Sequence, residues 1–118
     1  MNKLKATAAL AVFISNGFIS AQAACQFPVP IKVPNGNYAT EAEMVAAQGE
    51  VKSYMANAEA YLACIAEEAE ASTAGMDEEQ AAEQLRIRDM RHNSAVDEME
   101  KLAAEFNAQV RTFKKANQ

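Results

Sequence analysis

The sequence predicts an all-α fold: a long, coiled-coil-like antiparallel helical hairpin with an extended proline-rich arm packed back on it. Three observations carry this. Apolar residues after Glu41 recur at Val51, Met55, Ala58, Leu62, Ile65 and Ala69, with gaps alternating between four and three; that is the seam of a helix lying nearly parallel to a partner. The same alternation runs from Val96 through Met99, Ala103, Phe106 and Val110 to Phe113. Ahead of both helices, Pro28, Pro30 and Pro34 bar a short segment from helical geometry.

Residues 1–23 read as an export signal. Lys3 and Lys5 give a positive start, Ala6 to Ser20 is an uncharged, mostly apolar run, and Ala21-Gln22-Ala23 supplies small residues at −3 and −1. The run is too short to cross a hydrocarbon layer of about 30 Å, and no later segment is apolar enough to do so. Lys3 and Lys5 would leave with the signal, so nine basic residues would stand against sixteen acidic ones, a net of −7. That balance argues against nucleic acid or an anionic membrane surface as the main partner. The remaining 95 residues form one small domain, near the lower limit for a self-sufficient core.

Residues 24–39 form the arm. Phe27, Val29, Ile31 and Val33 alternate with other residues, which would turn all four to one side and onto the helices. Cys25 heads the arm and Cys64 is the only other cysteine. In an oxidising compartment an even number of thiols pairs, so the reading is a Cys25–Cys64 disulfide. A lipid anchor on Cys25 is the competing reading; Gln22 stands where a lipobox has an aliphatic residue. The lengths allow the bridge. Cys64 lies about 36 Å along a helix starting at Thr40, and the fifteen steps from Cys25 to Thr40 reach about 46 Å as a polyproline-type strand.

The hairpin occupies 40–118, with helices over about 40–72 and 77–115. Thr40-Glu41-Ala42-Glu43 has the capping-box pattern. Gly49 is a mild helix defect, read here as a point where the arm approaches closely. Ser72-Thr73-Ala74-Gly75 is a stop, and Asp77-Glu78-Glu79-Gln80 a start with acids where the helix dipole favours them. Asn93-Ser94 resembles a fresh cap, which leaves a three-helix bundle as the alternative. The seam nevertheless keeps its phase through that point. Tyr54, Tyr61 and Leu102 widen the stripes, and with Phe106 and Phe113 of the seam they would offer a second face for a homodimer.

Run backward from Val96, the seam phase places His92, Asp89 and Leu85 inward. Two readings follow. In one, Asp89 or His92 forms a polar layer with the Tyr61 hydroxyl, fixing register. In the other, Asp89-x-x-His92 is half of a metal- or small-ligand-binding site in a helical bundle, which would need further carboxylates from neighbouring helices. No cofactor is expected, and the methionines are read as core rather than as copper(I) ligands. The lone histidine, and the lack of a nucleophile elbow or glycine-rich oxyanion loop, argue against catalysis.

Charge is segregated along the hairpin. Glu67, Glu68, Glu70, Asp77, Glu78, Glu79 and Glu83 surround its tip, whereas Arg111, Lys114 and Lys115 end the chain. The acids are a solvated tip, or an interaction surface for a basic partner. The Cys-headed arm with Asn35-Gly36, the stretch ATEAEMVAAQGEVKSY and the tail EMEKLAAEFNAQVRTF resemble small exported bacterial proteins. The resemblance implies a compartment, periplasmic or secreted, and no activity. The function expected from these features is a non-catalytic helical interaction or scaffold protein. Its partner would be another envelope protein or a second copy of itself.

Overall fold

The computed structural model describes residues 24–118; the signal segment read at 1–23 lies outside them. Two α-helices pack against each other, α1 (Glu41–Thr73) and α2 (Glu78–Ala116), and no strand occurs among the described residues. Both helices begin and end within one residue of the predicted bounds. α2 runs unbroken through Asn93-Ser94, whose side chains are exposed and do not compete for backbone groups. The hairpin forms, and the three-helix alternative does not.

The helix ends follow the sequence chemistry. Thr40 Oγ1 accepts from the Glu43 amide at 3.2 Å, while Glu43 Oε2 accepts from the Thr40 amide at 2.7 Å. These two bonds close the capping box and hold the Glu43 carboxyl below its ordinary range. At the other end, Gly75 takes a φ of +79°, the left-handed conformation that turns the chain between the helices. Asp77 then caps α2 by accepting from the Gln80 amide at 2.9 Å.

The core is thin and mostly small. Met44, Ala47, Tyr54, Ala58, Ile65 and Ala69 of α1 are buried, but only Ala95 and Leu102 of α2. Tyr54 is thus central to the seam, where Met55 was expected; Met55 is half-buried.

The inward line of α2 also departs from the extrapolated phase. Near the tip it runs through half-buried Gln84, Arg88 and Arg91 to buried Ala95, one residue ahead of Leu85, Asp89, His92 and Val96. From Arg91 the spacing passes through Ala95 and Met99, two successive gaps of four. Such a stutter relaxes the 3.5-residue repeat toward the 3.6 of a straight helix and rotates the buried face. Leu85, Asp89 and His92 therefore lie on the outside.

The arm fills the groove between the two helices away from the tip, from the level of Gln109 and Phe113 on α2 to Cys64 on α1. It starts at Cys25 on α1 and ends at Gly36 against α2. Gly36 is buried, and its amide donates to Gln109 Oε1 at 2.8 Å. A Cβ there would collide with the Gln109 carbonyl and stand 2.6 Å from the Phe113 amide nitrogen. The close approach is thus at Gly36, and the expectation for Gly49 is corrected: a Cβ on Gly49 meets nothing within 4 Å.

One residue of the expected apolar side is turned outward. Phe27, Ile31 and Val33 are half-buried, but Val29 is 82% exposed. Alternation assumes a strand's period of two, whereas the flanking Pro28 and Pro30 favour the polyproline geometry, which repeats every three residues.

Candidate functional site

The arm head is the most elaborated region of the molecule. Cys25 and Cys64 are joined by a disulfide across a Cα–Cα separation of 5.8 Å, which closes a loop of 39 residues. Directly after it, Phe27 sets its ring edge-on to Tyr61, with centroids 5.2 Å apart, and to Tyr54 at 5.8 Å. This T-shaped trio is the favoured geometry for aromatic quadrupoles. Burial, and to a lesser degree the nearby Glu98 carboxylate, raises the pKa of the Tyr54 hydroxyl. The arm and the opposite helix thus cover Tyr54 and Leu102 fully, and Tyr61, Phe106 and Phe113 in part. The set read as a free self-association face is largely occupied within the chain.

Arg91 completes the cluster from α2. Its guanidinium carbon stands 5.6 Å from the centre of the Tyr61 ring. Its Nε donates to the Tyr61 hydroxyl at 3.2 Å, and its Nη1 to Glu68 Oε1 at 3.2 Å. The Tyr61 bond, and then the Glu68 bond, favour the charged guanidinium. The polar layer expected at Tyr61 therefore exists, but Arg91 makes it rather than Asp89 or His92. A long guanidinium can reach Tyr61 and Glu68 while its end stays in water, which the shorter Asp89 and His92 side chains cannot do from this phase.

Asp89 and His92 stand on the exposed face of α2. Asp89 Oδ1 lies 2.7 Å from Arg88 Nε, a contact made within α2 itself, off-axis for a hydrogen bond. Among the described residues no three His, Cys, Asp or Glu side chains are grouped so as to hold a metal ion. The two residues are not brought together with ligands from α1.

All seven acids of the tip are exposed. Several have local roles. Asp77 caps α2, and Glu78 and Glu79 occupy its first turn, where the helix dipole stabilises carboxylates. Glu83 pairs with Arg86 at 2.7 Å, and that bond lowers its pKa; Glu68 pairs with Arg91. Glu67 and Glu70 have no such partner among the described residues. The acids do not converge on a common point.

Two shallow depressions flank the arm. One, of about 330 Å³, lies between the arm head and α2, with Phe27, Tyr61 and Ala95 as its floor and Met90, Ser94 and Glu98 as its far wall. The other lies between the arm and α1, beside Val29, Lys32, Gly49 and Glu50. Both are open to solvent. No helix among the described residues is long and apolar enough to cross a membrane.

Reading the sequence alone missed Arg91, Gly36 and Gln109. Gly36 had a signal, since it follows Asn35 in a turn; the Arg91 contacts depend on the stutter. Comparison of the chain with protein-family models, with curated proteins and with solved structures finds no match.

Proposed function

We propose that this is a non-catalytic exported protein, periplasmic or secreted, that works as a helical interaction or scaffold module. The observation that carries the reading is the Cys25–Cys64 disulfide. Such bonds persist in oxidising compartments, and the signal-like segment immediately before the arm would supply the route there. The sole histidine stands exposed on a helix, and both thiols are consumed in the bridge, which leaves the usual nucleophile–base pairs without their members. What the chain presents instead is a long surface with an acidic tip, a basic C-terminal end and exposed apolar side chains between them. An envelope protein with a basic docking patch, or a second copy, fits such a surface.

Cell fractionation with intact-mass measurement tests the export half. The expected species starts at Ala24, is recovered outside the cytoplasm and is two hydrogens lighter than the reduced chain. An unprocessed chain with free thiols in the cytoplasm would sink it, and a diacylglycerol adduct on Cys25 would replace it with the lipoprotein reading. Photocrosslinking in cells from positions along the tip tests the interaction half. Failure to capture any reproducible partner, including a second copy, counts against it.

A further inference from the structure

Among the described residues, only Asn35 is followed by glycine. Such a pair is chemically labile. Glycine has no side chain to shield its nitrogen, so that nitrogen can attack the asparagine side-chain carbon, expel ammonia and close a five-membered succinimide. Water then opens the ring at one carbonyl or the other, leaving aspartate or isoaspartate. The reaction needs nothing else from outside the chain.

In this turn the nucleophile is held. The Gly36 amide donates to Gln109 Oε1 at 2.8 Å, and that proton must leave before the nitrogen attacks. Gly36 is also buried, so close to the Gln109 carbonyl and the Phe113 amide nitrogen that a Cβ would not fit. The Asn35 carbonyl accepts from the Tyr38 and Ala39 amides at 3.1 and 2.9 Å, which fixes the peptide plane carrying the nitrogen. The electrophile, by contrast, is ready. The Asn35 side chain is exposed, and its Oδ1 accepts from the Asn37 amide at 2.9 Å. Negative charge grows on that oxygen as the ring closes, where Asn37 is already placed to stabilise it.

We propose that Asn35-Gly36 is a latent self-modification site, latched by Gln109, whose isoaspartate product can no longer dock on α2. When the turn lifts off the helix, the Gly36 nitrogen is freed and the pair closes to the succinimide. Opening of the ring to isoaspartate routes the backbone through the side chain and adds one methylene between residues 35 and 36. The seat at Gly36 has no room for an extra carbon, so the lengthened turn cannot return to it. The arm then stays bonded at Cys25–Cys64 and is loose at its other end. A reversible opening of the arm thereby becomes a permanent one. The inference concerns the chain's own turn and depends neither on export nor on a partner.

The test incubates the purified chain, with its disulfide formed, at neutral pH and physiological temperature. Peptide mapping follows ammonia loss at Asn35, and a synthetic peptide of residues 31–40 sets the unlatched rate. The folded chain should react slower than the peptide by about tenfold or more, because it reacts only through its opened fraction. Gln109→Ala should speed the reaction about two- to tenfold, the worth of one hydrogen bond. Gln109→Glu, which still offers an acceptor, should stay near wild type. Asn93, followed by serine on the exposed side of α2, is the internal control; its rate should be the same in all three chains, which separates local release from general unfolding. A semisynthetic chain carrying isoaspartate at position 35 should exchange its Tyr38 and Ala39 amides faster than wild type. Several results would each overturn the proposal: wild type reacting at the peptide rate, Gln109→Ala no faster than wild type, or Gln109→Glu as fast as Gln109→Ala. So would Asn93 accelerating together with Asn35, or wild-type exchange in the isoaspartate chain.

Discussion

Replacing Cys25 and Cys64 together with alanine removes the covalent bond between arm and hairpin and leaves no odd thiol behind. The bond closes a loop of 39 residues. In the chain-entropy account, releasing that loop in the unfolded state costs about 4 kcal/mol of stability at 25 °C. The described chain has 95 residues, for which total stabilities of about 5–14 kcal/mol are ordinary, so the bridge is a large share. The same loss corresponds to a fall of about 20 °C in Tm. Urea titration of the oxidised protein, the reduced protein and the double-alanine variant is the assay, followed by circular dichroism. The m-value should rise when the bridge is absent, because the unfolded chain then expands and exposes more surface. Hydrogen exchange adds a local readout: without the bridge, the Gly36 and α1 amides near Tyr54 should exchange faster as the arm opens. A midpoint shift worth less than about 1 kcal/mol, with m unchanged, would refute the claim that the bridge acts by restricting the unfolded chain.

The remaining predictions concern single positions. Gly36→Ala should destabilise by about 1–3 kcal/mol, since its Cβ meets the α2 backbone, whereas Gly49→Ala should stabilise by about 1 kcal/mol in open space; denaturant midpoints compare them, and equal effects would contradict the placement of the arm. Phe27→Ala should cost about 2–4 kcal/mol and expose Tyr54 and Tyr61, visible in near-ultraviolet dichroism. Arg91→Ala should cost about 1–2 kcal/mol through the lost Tyr61 and Glu68 contacts, while His92→Ala and Asp89→Ala stay within about 0.5 kcal/mol; a larger loss at His92 would restore an inward role for it. Thr40→Ala should cost about 1 kcal/mol at neutral pH. The lowered Glu43 pKa means that its carboxylate's contribution is present above the ordinary glutamate range and is lost as pH falls through the folded value. The gap between wild type and Thr40→Ala should therefore narrow in acid without closing, because the Thr40 hydroxyl still accepts from the Glu43 amide.

Much of the architecture is settled locally, and so was legible from residue order. The alternating gaps of α1, the capping box at Thr40 and the stop at Gly75 each act within a few residues, and the hairpin follows from them. Three prolines and the distance along α1 to Cys64 were enough to send the arm back along the helix, because chain reach is a matter of counting steps. What tertiary contact decided lies one level finer. A seam read at 3.5 residues per turn fixes a face only to within a residue over several turns; one extra gap of four moved Asp89 and His92 out to solvent and brought Arg91 to Tyr61. Whether Val29 faced in or out depended on polyproline geometry winning over alternation. That Gly36 rather than Gly49 had to lack a side chain depended on the backbone of Gln109 and Phe113, more than seventy residues away, and local sequence carries no record of a neighbour so remote.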